Sequence, residues 1–166
     1  MINPDDLVTA WVVVLSSIPA LVSALGAGGA ITGYFDQFPT QNNLRRAILE
    51  QPAGTILVVF MGTSKARVGT AIQFRHQFTF AVRAAARVPP AATVSYGKLW
   101  SLFVNGIPAG SSLPLLHTPI LPACYPMDLE LPVAQRAAIL TSVDGATQDY
   151  FEFQATLVEA GDNQGS

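Results

Sequence analysis

The sequence predicts an α+β domain: a mixed or mainly antiparallel sheet containing a long β-ribbon, backed by two or three helices on one face. Three observations carry that expectation. Residues 55–61 read Thr-Ile-Leu-Val-Val-Phe-Met, a continuous apolar run of the kind buried on both faces in mid-sheet. Phe74, His76, Phe78, Phe80 and Val82 alternate with Arg75, Gln77, Thr79, Ala81 and Arg83, the period of a strand with one inward face. Near the start, Leu7, Val8, Trp11, Val12, Leu15 and Ile18 recur at helical spacing instead.

The opening helix has a clear beginning. Asn3 can accept the first free N–H groups, Pro4 suits the first helical position, and Asp5 and Asp6 face the positive end of the helix dipole. Val13 and Val14 widen the apolar stripe. Pro19 would clash with the carbonyl of Leu15, so the spacing predicts a break and a short second helix over residues 19–25, ended by Gly26. Residues 27–30 read as loop, 31–35 as a short strand, and 44–51 as a brief helix capped by Asn42 or Asn43. Pro52 and Gly54 then release the chain into the apolar strand.

The eight residues from Gly62 to Gly69, with Lys65 and Arg67 among them, exceed a two-residue hairpin turn, so they read as a charged tip. Val88-Pro89-Pro90 stops the second strand of the ribbon. Ser95 caps a helix running to Val104, with Leu99, Leu102 and Phe103 inward and Asn105-Gly106 as its left-handed exit. Residues 136–143 fit a strand or a short helix, Asp144-Gly145 is a turn signal, and residues 150–157 alternate as a final strand. The organisation is one domain over residues 1–160 with a loose tail at 161–166.

Composition narrows the function. Charged residues make up 12% of the 166, against about 25% in ordinary soluble domains, while apolar residues make up 50%. Such a chain is covered by a membrane or by other protein. Residues 7–35 carry no charge, yet Pro19, the Ser16-Ser17 pair and the glycines at 26, 28 and 29 interrupt them, and acids rather than bases precede them. Protein cover is the better expectation, with no membrane. A net charge of −2 gives no footprint for bulk nucleic-acid binding.

Residues 99–127 are uncharged and broken by Pro108, Pro114, Pro119, Pro122 and Pro126, but they carry Leu113, Leu115, Leu116, Ile120, Leu121 and Tyr125. Disorder goes with polarity and charge, and exposing these side chains is unfavourable. Either this loop packs on its own domain or it docks at least in part on another subunit; the scarcity of charge favours docking. Lys65 and Arg67 join it as candidate interface residues.

Motifs for chemistry are sparse. His76 lies on the apolar face of its strand, as a buried hydrogen-bonded histidine or else a catalytic or pH-sensing group. His117 has no acid or cysteine nearby. With Cys124 the only cysteine, neither a disulfide framework nor a zinc site is expected. The glycines at 26, 28 and 29 follow a helix and precede a strand, the wrong order for a phosphate loop. Asp128, Glu130, Asp149 and Glu152 lack calcium-loop spacing. The expectation is no catalytic residue, no cofactor and no metal.

The order of parts resembles the tail terminator and tail-completion proteins of long-tailed bacteriophages. The resemblance is carried by the opening helix, Tyr34-Phe35 and Phe38-Pro39, Pro52 with the Ile-Leu-Val-Val strand, and Phe78-Thr79-Phe80-Ala81-Val82. Asn105-Gly106-Ile107-Pro108 and the closing strand from Tyr150 to Glu159 complete it. It implies a virion protein of the tail or neck, made in the host cytoplasm, that forms a closed, usually hexameric ring. The ring ends tail-tube polymerisation and offers a docking face to the head connector, with no bond made or broken. Its partners would be further copies of itself, the tail tube protein and the connector or stopper. DNA would pass through the hole without sequence-specific binding, with Arg45 and Arg46 as DNA-facing or inter-subunit charge. A head-side connector or stopper is the runner-up. A small-ligand-binding or enzymatic α+β domain, with His76 or Cys124 in a pocket, is the rival of another class.

Overall fold

The computed structural model describes residues 2–26, 29–35, 41–52, 54–83, 96–121, 124–130, 138–141 and 147–160. They form an α+β domain around one mixed sheet. In chain order the elements are α1 (Pro4–Ser16), α2 (Pro19–Leu25), β1 (Ile31–Tyr34), α3 (Gln41–Leu49), β2 (Ile56–Val68), β3 (Ala71–Arg83), α4 (Tyr96–Asn105), β4 (Cys124–Glu130), β5 (Ala138–Thr141) and β6 (Thr147–Ala160). The sheet order is β1-β2-β3-β6-β4, and β5 pairs with β6 beyond the end of β4. Only β1 and β2 pair in parallel, with α3 as their crossover; the other ladders are antiparallel.

The helix starts behave as their residues dictate. The Asn3 side chain accepts the Asp5 N–H at 3.0 Å, Pro4 opens α1, and Asp5 and Asp6 occupy its first turn. Leu7, Val8, Trp11 and Leu15 are buried along one stripe. Val13 does not widen that stripe: it is 63% exposed. α1 and α2 meet at 87°, and no single helix among the described residues is long and apolar enough to cross a membrane. Asn42 and Asn43 lie inside α3 rather than capping it.

The main core fills one face of the sheet. Ile56, Val58, Phe78, Phe80, Val82, Phe153, Ala155 and Leu157 meet α1, α2 and α4 there. Trp11 sits edge-on over Phe80 at 5.1 Å between ring centroids and over Phe78 at 5.9 Å, and Phe103 of α4 links Phe80 to Phe153. The Trp11 indole N–H has no hydrogen-bond partner among the described residues, at a cost of about 1–3 kcal/mol. Burying so large a ring is worth about 4–6 kcal/mol, so the site remains favourable.

The second face carries a helix that the expectation of one-sided backing missed. Leu44 and Ile48 of α3 cover Leu57, Val59 and Ala81. The unbroken apolar run of β2 thus has a partner layer on each side.

The ribbon differs from its expected form. Residues 62–68 continue β2 instead of looping, and the hairpin closes at Gly69 and Thr70, with Val68 opposite Ala71. Gly69 takes φ +63°, which supplies the left-handed step of the turn. A bulge between Phe60 and Gly62 shifts the register, and Gly62 adopts φ +151°. β6 runs beside β3 as far as Gln73, so the ribbon is built into the sheet for most of its length.

After α4, Gly106 is needed for space rather than for a left-handed exit. A Cβ there would lie 2.3 Å from the Leu102 carbonyl oxygen and 2.8 Å from Ile18. The following loop packs in cis: Leu115, in a single 3-10 turn (Leu115–His117), and Ile120 are buried in the main core, and Leu121 is half-buried against it. β4 then forms despite Pro126, a strand not foreseen within the proline-broken stretch. β5 resolves residues 138–141 as strand, and β6 extends the last strand to both sides. Ser95, Val88-Pro89-Pro90, Asp144-Gly145 and the 161–166 tail lie outside the described residues.

This packing separates two neighbouring leucines. Leu115→Ala should lower the unfolding free energy by about 2–5 kcal/mol, and Leu113→Ala, at a 51% exposed position, by less than about 0.5. Urea titration followed by tryptophan fluorescence reads both.

Candidate functional site

Two features stand out: a polar chain centred on a buried histidine at the outer end of the main core, and the exposed outer half of β2. The first grows from the alternation of β3. The alternation that turns Phe78 and Phe80 inward turns His76 inward as well, where it is 0% exposed. Both ring nitrogens are occupied. Nδ1 lies 2.8 Å from the Thr63 hydroxyl on β2, and Nε2 lies 2.8 Å from Oε2 of Glu159 on β6. Register explains the meeting: Thr63 is directly opposite His76, and Glu159 lies two residues beyond Leu157, the residue opposite His76 on β6, and so on the same face. With Glu159 ionised, Nε2–H donates to the carboxylate and Nδ1 accepts the Thr63 O–H.

Glu159 also anchors the start of the chain, because the Ile2 N–H donates to its two oxygens at 3.1 and 3.2 Å. Burial pushes its carboxyl up, but the hydrogen bonds from His76 and Ile2 outweigh that and hold it below the ordinary glutamate value. Cys124 pairs across from Glu159 on β4. Burial, and then the Glu159 charge, push its thiol up to about 11, so the group is a protonated core thiol rather than a thiolate nucleophile. Thr63, His76 and Glu159 follow the order of hydroxyl, base and orienting acid. Their hydrogen bonds tie three strands and the start of α1 together. A surface depression of about 160 Å³, lined by Met61, Gln77, Thr79, Gln154 and Thr156 among others, includes none of the three.

The residues expected at an interface separate into distinct environments. Lys65 and Arg67 are exposed on the outer half of β2, with the Lys65 Nζ 5.7 Å from the centre of the Phe74 ring. Leu113 is exposed. Leu115, Ile120 and, for the most part, Leu121 are committed to the chain's own core and are not available to a neighbour. The side chains of Leu116, Tyr125 and Arg45 lie outside the described residues, whereas Arg46 is exposed on α3. Residue counting cannot tell which leucines of a proline-broken loop turn inward, because no period governs them. The Thr63–His76–Glu159 chain was missed for another reason: it needs the register of three strands. His117 is exposed. Among the described residues no cluster of His, Cys, Asp and Glu could hold a metal ion.

No protein-family model matches the chain, and no curated protein matches it.

Glu159→Gln keeps the shape and removes the charge. At neutral pH it should cost about 1.5–3 kcal/mol, the range for a hydrogen bond to a charged group. Because the folded carboxyl is held low, the wild-type advantage is full above the ordinary glutamate pKa of about 4.3. It fades as pH falls through the lower folded value. Unfolding curves of the two proteins between pH 7 and 3 should therefore converge at the acid end.

Proposed function

We propose that this protein is a structural virion protein that forms a closed ring at the head-proximal end of a phage tail. There it ends tube polymerisation and presents a face to the head connector. The observation that carries the reading is the surface of the single chain. With 12% charged residues, it leaves Val13, Val22, Phe35, Met61, Val68, Ile107 and Leu113 exposed. They come from separate parts of the fold: α1 and α2, the end of β1, the ribbon, and the loop after α4. A subunit of a closed ring needs two different patches, one for each neighbour. Permanent interfaces of that kind bury about 2,000 Å² or more and are more apolar than ordinary surface.

The buried state of His76 and the raised thiol of Cys124 weigh against the reading that places either in a reactive pocket. A protein that works by geometry needs a stiff body and covered faces. The two-layered core supplies the stiffness, and neighbours supply the cover. DNA passes through the opening of the ring without being read.

Electron microscopy of the purified chain, alone and with tail tube protein, tests this. Closed rings of uniform diameter, or rings seated on tube ends, are expected; dispersed single chains that leave tube length unregulated would overturn it. Leu113→Asp and Ile107→Asp, both at exposed positions, should reduce ring formation at least about tenfold while moving the melting temperature by no more than a couple of degrees.

A further inference from the structure

Among the described residues the outer half of β2 is an open sheet edge, and its hydrogen-bonding positions follow from the register. The Arg83 N–H donates to the Thr55 carbonyl at 2.9 Å, and the Arg83 carbonyl accepts the Gly54 N–H at 2.7 Å. Odd-numbered residues of β3 therefore bond toward β2. Their partners beyond the bulge are Gly62, Ser64, Ala66 and Val68, opposite Gln77, Arg75, Gln73 and Ala71. By the alternation of an antiparallel ladder, Thr63, Lys65 and Arg67 turn their N–H and C=O groups the other way. β1 stops at Tyr34, opposite Val59, so among the described residues no strand lies beside those three.

The far edge of the sheet is finished differently. Cys124 uses both backbone groups on its own loop, donating to Leu121 at 2.9 Å and accepting from Ile120 at 2.9 Å. Pro126, two residues on, has no N–H to offer. The far edge is closed at Cys124 by the chain itself and at Pro126 by proline, while the outer half of β2 has no such cover among the described residues.

Charge selects what can fill the open edge. Residues 61–77 hold Lys65, Arg67 and Arg75 and no acid, although the whole chain is −2. Lys65 and Arg67 stand two apart on the same face of the strand. A second copy pairing there about a two-fold axis would bring these cations together, which is unfavourable. The cations that guard the edge against its own kind attract a strand with carboxylates at alternate positions.

We propose that the Thr63–Arg67 edge is a β-augmentation site for an extended acidic segment of a partner protein. The segment's backbone bonds to Thr63, Lys65 and Arg67, and its acidic side chains at positions i and i+2 meet Lys65 and Arg67. The inference goes beyond the ring reading and does not rest on it: it follows from the register of β2 within the single chain.

Amide exchange by NMR on the full chain, with a short synthetic peptide alternating Glu with Val and Thr as the probe, tests this. In the free protein the amides of Thr63, Lys65 and Arg67 should exchange fast while those of Ser64 and Ala66 are protected. With the peptide, the first three should slow at least about tenfold and the other two should not change. The peptide with Lys in place of Glu should not do this, and Lys65→Glu with Arg67→Glu, both at exposed positions, should reverse the preference. Slow exchange at the three sites in the free protein would overturn the proposal. So would no slowing at millimolar peptide, equal slowing by both peptides, or protection elsewhere only.

Discussion

The indole of Trp11 lies edge-on across Phe80 and Phe78, and the rest of the fold is arranged around keeping that contact dry. β3 can carry both phenylalanines inward only because β2 and β6 flank it and α1 is held down across it. α4 seals the side through Phe103, and Leu115 and Ile120 close the remaining gap. A Trp, two Phe and their aliphatic surround bury enough area to carry an unpartnered indole N–H. At the outer end of the same face, where apolar side chains give way to the ribbon, His76 replaces phenylalanine in the alternation. Its two hydrogen bonds, to Thr63 and Glu159, finish the core with a satisfied polar group. Glu159 then reaches Ile2, so the carboxylate that orients the histidine also anchors the segment leading into α1.

Much of this was legible in the residues. Asn3-Pro4-Asp5-Asp6 can hardly do anything but start a helix, and Pro19 breaks it by the clash the ring imposes. The continuous run in β2 and the alternation in β3 name their own burial, down to the inward place of His76. What escaped was set by partners distant in sequence. Gly62 looked like the start of a loop because glycine and small polar residues are poor strand formers, yet pairing with β3 carries β2 on to Val68. Gly106 looked like a left-handed exit, when the carbonyl of Leu102 and the side chain of Ile18 are what exclude a larger residue. α3 was read as a brief helix, but nothing in its own residues says which face of the sheet it covers.

The proline-broken stretch shows the same limit in a form that matters for function. Its leucines are alike in sequence and opposite in fate: Leu115 is sealed into the chain's own core, while Leu113 faces out. Scarcity of charge pointed to covered surface without saying which side chains supply it. The fold redistributes that expectation from the buried leucines to Leu113, Ile107, Val13 and Val22 and to the ends of the exposed β2 stretch at Met61 and Val68. These lie on different elements, and the proposed ring would need that, because each of its subunits would meet two unlike neighbours.

On the proposed reading, a chain so poor in charge is completed by copies of itself. Sedimentation equilibrium of the purified chain across a wide concentration range bears on it most directly. One dominant species is expected, with a mass that is a fixed multiple, greater than two, of the 17.6 kDa chain, and it should hold together on dilution. A single species of chain mass at every concentration would contradict it.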